Sequence, residues 1–160
     1  DEGKENLFAG RCDVYTTDAS GLSSTRAAAS NPDKWVVLPE IISKEPLGPL
    51  VRHGDHQWGD VVRWSLNAMI IAEELGVTSE NVDAQLGSNV PEVLRLLGVE
   101  GNYGEMLELS NDWAYQIIKQ IGNYSESYEA NVGPDTPLEI ARGLNALWTQ
   151  GGILYAPPFR

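Results

Sequence analysis

Cationic residues are scarce in this chain, and so are cysteines and long apolar runs. Eleven Lys and Arg stand against 23 Asp and Glu, giving a formal net charge of −12. Nucleic-acid binding needs clustered Lys and Arg to neutralise phosphates, so no nucleic-acid partner is expected. Adsorption to an anionic membrane surface is disfavoured for the same reason. The acidity favours solubility and points to no ligand. Cys12 is the single cysteine, which rules out an internal disulfide and leaves the redox compartment open. Within a strand-like pattern it reads as a small buried hydrophobe rather than a nucleophile. The richest apolar run, Val61 to Ala72, contains Arg63 and Asn67 and is too short to span a bilayer, so no membrane insertion is expected. No signal peptide is visible, and the chain begins at Asp1 without Met, which suits a processed or truncated product. A Gly-rich phosphate loop, a nucleophile elbow and a Cys/His cluster are all missing, and no carboxylate pair stands out as acid and base. We therefore expect no enzyme activity, no cofactor and no bound metal.

What is present is a chain of 160 residues with 42% hydrophobic content, enough for one domain of common size with a real core. The stretch from Gly10 to Asp18, GRCDVYTTD, organises the reading. Residues 12–17 alternate as a strand would, with Cys12, Val14 and Thr16 on one side and Asp13, Tyr15 and Thr17 on the other. Asp18 ends the strand, and a helical pattern follows over 19–30. Its carboxylate suits an N-cap, accepting backbone N–H groups of the next turn. It also suits a fixed negative charge at the carboxyl end of a strand, where ligands of open α/β sheets bind, ready to pair with an ammonium group. The two roles are compatible.

Along the chain, residues 1–9 read as the last turns of a helix stopped by Gly10. Asn31-Pro32-Asp33 signals a turn. Residues 35–38 read as a strand ended by Pro39. Residues 46–51 read as another, confined by two prolines to an edge or a crossing. His53, Asp55 and His56 carry metal-ligand chemistry within four residues, but no further ligands are evident. The favoured reading is Asp55 capping a long helix over 57–75, apolar on most sides and ended by Gly76. Short helices follow over 79–86 and 91–97. A loop over 98–106 holds three glycines. Helical spacing recurs at Trp113, Ile117, Ile118 and Ile121, then at Tyr124, Tyr128 and Val132. Thr136-Pro137-Leu138-Glu139 has the form of a capping box and predicts a helix running to Trp148. The five Trp are expected in the core.

The segment from Gly10 to Asp18 resembles the G-R-x-D-A-x-x-x-D segment of periplasmic amino-acid-binding proteins, the solute receptors of ABC importers. The run from Leu38 to Pro49, LPEIISKEPLGP, resembles the subgroup for polar or general L-amino acids. So do Asn111–Tyr115 and the run from Ile140 to Trp148. The resemblance extends from about Gly10 to Arg160 and covers only the C-terminal half of a two-lobed protein.

It implies an α/β chain: a partial type II periplasmic-binding-protein fold, with few strands and a helix-rich C-terminal part. Residues 1–40 would belong to the ligand-capping lobe, 41–45 to a hinge crossing and 46–160 to the other lobe. Asp18 would bind the α-ammonium of an L-amino acid, with Thr17 beside it. The family's Arg for the ligand carboxylate lies in the half not represented here. The implied partners are an L-amino acid, the membrane subunits of an ABC transporter, and either the missing N-terminal half or a second copy of the chain. The implied location is the periplasm. A rival reading is a non-transport module that binds a protein partner or self-associates by exchanging elements.

Overall fold

The computed structural model describes residues 2–159. Among them all regular structure is helical. The nearest approach to a β-ladder is one isolated parallel bridge, Leu147 to Leu154. Internal contacts divide the chain into two compact units. One comprises the residues up to Leu47 together with Val132–Ala141; the other comprises Gly48–Asn131 and everything from Arg142 on.

In the first unit, helix α1 (Glu2–Phe8) ends as its Gly predicts. Gly10 takes φ +68°, its N–H donates to Leu7 O at 3.0 Å, and the Arg11 N–H donates to Asn6 O at 2.9 Å. Those two bonds satisfy carbonyls that the end of the helix would orphan. Phe8 then packs its ring on Trp35, with centroids 5.3 Å apart. Helix α2 (Ala19–Ala27) starts directly after Asp18, and a 3-10 turn (Pro32–Lys34) follows.

The expected strands over 12–17, 35–38 and 46–51 do not form among the described residues, so the strand part of the α/β expectation is corrected: the regular structure described is helical. A strand exists only when a neighbour completes its hydrogen-bond ladder, and none of these segments finds one. Their apolar side chains are accordingly bare: Val14, Val36, Leu38 and Leu47 are exposed, and Leu50 is 98% exposed. Cys12 is half-buried.

The helix expected after Thr136 is replaced by a turn, because each group of the capping box finds another partner. The Thr136 hydroxyl donates to Gly133 O at 2.8 Å and accepts the Leu138 N–H at 3.2 Å. The Glu139 N–H goes to the Thr136 carbonyl at 3.1 Å, and the Ile140 N–H closes the loop on Val132 O at 3.0 Å. Glu139 itself takes φ +52°, a left-handed conformation that no helix can continue through.

The second unit is built on α3 (His56–Glu74), the 19-residue helix expected from its apolar run. Ala68, Ile70, Ile71 and Ala72 are buried. Around it stand α4 (Val82–Gln85), α5 (Pro91–Leu96), α6 (Tyr103–Met106), α7 (Trp113–Ile121) and α8 (Tyr124–Asn131). Helix α3 packs against α5, α7 and α8, while α4 packs against α7. Burial concentrates in the C-terminal half of α3. Trp58 near its start is exposed, as is Trp148, which corrects the expectation that every Trp is core. Trp113 is buried, and Trp35 and Trp64 are half-buried. The tail inserts Phe159 between Trp64, Tyr103 and Trp113, at centroid distances of 5.3, 5.4 and 6.1 Å.

Polar groups inside this unit are paired. Asn123, 4% exposed, and Glu126 form the reciprocal cap that opens α8. The Asn123 side chain accepts the Glu126 N–H at 3.0 Å, and the Glu126 carboxylate accepts the Asn123 N–H at 2.8 Å. The Asn123 amide also donates to Val77 O at 2.9 Å. Arg142 donates from one Nη to both oxygens of Glu73 at 3.0 Å and lies 5.3 Å from the ring centroids of Tyr124 and Tyr128. Its Nε reaches Asn145 O at 3.0 Å. The two side chains of the ion pair are 15% and 8% exposed.

Two expectations follow for stability, both measured by urea unfolding at neutral pH. Gly98 and Gly76 both take positive φ, but a Cβ on Gly98 would lie 1.9 Å from Asn111 O whereas one on Gly76 meets open space. Gly76→Ala should therefore cost only the backbone penalty of about 1 kcal/mol, and Gly98→Ala distinctly more. Equal costs would contradict the packing described for Gly98. Arg142→Ala should cost about 3 kcal/mol or more, because Glu73 is left charged and shielded from water, whereas Arg142→Met joined with Glu73→Leu should cost far less. A double variant as unstable as Arg142→Ala would contradict that account.

Candidate functional site

Asp18 directly precedes α2, as expected, but the segment before it is irregular rather than a strand. Its φ of −60° and ψ of 157° are extended, which turns the side chain back over the first helical turn. Oδ1 accepts the Gly21 N–H at 2.8 Å and the Ser20 hydroxyl in a very short contact. Among the described residues Oδ2 receives the Thr17 hydroxyl, at a long 3.3 Å. The carboxylate is thus a working N-cap, and the hydrogen bond from Ser20, then that from Gly21, holds its pKa below the ordinary carboxylate value. Oδ2 keeps accepting capacity that a further donor can use. Asp18 is half-buried, while Thr17 is exposed.

Neither of two surface concavities includes Asp18 or Thr17. One, of about 270 Å³, lies at the start of α3 among Arg52, His53, Asp55, His56, Asp60 and Arg63. There the Asp55 carboxylate accepts the Trp58 N–H at 3.1 Å, as a helix cap should. Among the described residues no three His, Cys, Asp or Glu side chains come together as a metal site would require. The other concavity, of about 360 Å³, lies within the first unit and is walled by Arg26, Pro32, Asp33, Trp35, Pro137 and Glu139. Its ion pair, Arg26 with Glu139, joins residues 113 apart in sequence, a separation that no local pattern encodes.

No family model matches the chain. It is 57% identical over 160 residues to the glutamate/glutamine/aspartate/asparagine-binding protein BztA of Rhodobacter capsulatus, an alignment covering 99% of this chain and 47% of that protein. It is 58% identical over 154 residues to the general L-amino acid-binding periplasmic protein AapJ of Rhizobium johnstonii, covering 95% of this chain and 45% of AapJ. Among solved structures it superposes on an ABC transporter periplasmic binding protein from Brucella ovis with glutathione bound. The TM-score there is 0.94 at 52% identity, over 99% of this chain and 50% of that one. Over almost its whole length the chain is similar to one half of amino-acid-binding proteins of ABC transporters. It spans about half the length of the curated relatives it matches. Its described residues include no helix long and apolar enough to cross a membrane.

The capping geometry fixes a pH dependence. Because the folded-state pKa of Asp18 is lowered, its contribution is present above the unfolded carboxylate value and is lost as pH falls through the lowered one. Asp18→Ala should cost about 1 kcal/mol at neutral pH. That difference from the unmodified chain should stay constant down to about pH 4 and shrink below it. Urea titrations across the acid range measure it. A difference that grows on acidification would contradict the cap.

Proposed function

We propose that this chain supplies the C-terminal half of a periplasmic solute-binding protein that captures L-amino acids for an ABC importer. The observation that carries the reading is identity above 50% across almost the whole chain to proteins named for amino-acid binding. The same likeness favours it over a free-standing interaction module. No catalysis is part of this function. The remaining half supplies the ladder partners that residues 12–17, 35–38 and 46–51 lack, completing a type II binding-protein fold of two lobes. Residues 1–40 and most of 46–160 then fall in different lobes, with 41–45 as a crossing between them and Val132–Ala141 returning to the unit that holds residues 1–40. The membrane subunits of the importer are the downstream partners. The bare apolar side chains of these segments make element exchange with a second copy the competing outcome when the other half is withheld.

Within that function Asp18 pairs with the ligand's α-ammonium through Oδ2, and Thr17 orients that oxygen. Lobe closure is driven by the tighter binding of ligand to the closed form.

The experiment joins this chain to its N-terminal half and titrates L-amino acids by calorimetry. Asp18→Asn is the informative variant, because Asn caps a helix about as well as Asp but carries no charge. Losing one partner of a buried charge pair costs about 2–5 kcal/mol, so affinity should fall by about thirtyfold or more while thermal stability holds. A change of affinity within about threefold would remove Asp18 from the ligand site.

A further inference from the structure

We propose that the concavity walled by Arg26, Trp35 and Glu139 is a second binding site, and that it takes a small organic cation of the alkylguanidinium or alkylammonium class. It is assembled from two distant parts of the chain. Arg26 stands at the end of α2, Pro32 and Asp33 form the 3-10 turn beside Trp35, and Pro137 and Glu139 come from the returning loop. Its volume of about 360 Å³ falls within the range of small-molecule sites.

The charges in it select the ligand. Arg26 is already neutralised by Glu139, to which it donates a short hydrogen bond. Asp33 has no hydrogen-bond or ion-pair partner among the described residues. The uncompensated charge of the cleft is therefore negative. Trp35 supplies a half-buried indole fixed by its contact with Phe8. Trp35 and Asp33 both line the cleft, and an indole together with an unused carboxylate attracts a cation by its quadrupole and by a charge-assisted hydrogen bond. Pro32 and Pro137 give apolar walls for a short alkyl stem. Glu139 reaches Arg26 from a backbone held at φ +52°; uncommon backbone of this kind gathers at ligand clamps. The site is separate from Asp18, so it stands or falls apart from amino-acid capture.

The test is a titration of the chain with butylguanidinium chloride, followed by the indole N–H resonances of its five Trp. Trp35→Phe assigns the Trp35 signal by its loss. The expected result is a saturable shift of the Trp35 resonance alone. In Asp33→Asn, a change at an exposed position, affinity should fall about tenfold, as expected for losing a charge-assisted contact. Sodium butyrate, matched in stem and opposite in charge, should leave the resonance in place. Absence of a saturable shift, equal affinity in Asp33→Asn, or an equal response to butyrate would each overturn the proposal.

Discussion

The second unit depends on one guanidinium group. Arg142 opens the terminal segment, and its planar fork reaches Glu73 on α3, the carbonyl of Asn145 within its own turn, and the rings of Tyr124 and Tyr128 on α8. A residue that is charged, planar and apolar on its faces can satisfy all three kinds of neighbour at once. Because both members of the ion pair are largely shielded, each depends on the other being present. The buried Asn123 plays a matching part just before the same helix, tying the start of α8 to the Val77 carbonyl. Together they fix α8 and the returning chain against α3, and the aromatic cluster around Phe159 closes on that frame.

The first unit shows the opposite situation. Its helices are well capped, yet the segments between them expose apolar side chains. The difference is one of partners. A helix satisfies its backbone internally, so α1 and α2 form wherever their caps allow. A strand cannot, and among the described residues these segments have no ladder partner.

That contrast also explains what could be read in advance. The caps were legible because they are local. Asp18, Asp55, Gly10 and Gly76 act within a few residues of themselves, and each does what its position indicates. The long helix α3 was legible from its apolar pattern, although exposed Trp58 shows that the pattern overstated burial at its start. The strand over 12–17 was read from side-chain alternation, and those over 35–38 and 46–51 from short apolar runs bounded by prolines; such patterns describe a surface waiting for a neighbour but not whether the neighbour exists. The box at Thr136 was a sound local signal overridden by a turn back to Gly133 and by a pairing of Glu139 with Arg26 that no local window contains. The role of Asp18 as a cap was visible in the sequence and is seen in the geometry. Its role toward a ligand is a proposal drawn from the likeness of residues 10–18 to a family segment. The Arg26–Glu139 cleft was invisible because its walls come from opposite ends of the chain.

The bare apolar side chains of residues 36–50 carry a thermal consequence. Heat capacity rises on unfolding because buried apolar surface becomes hydrated. Leu50, Ile41, Ile42, Val36, Leu38 and Leu47 are already hydrated in the folded chain, so they add almost nothing to that increment. The stability curve is correspondingly flattened against temperature, and a partner that covered these residues would restore its curvature.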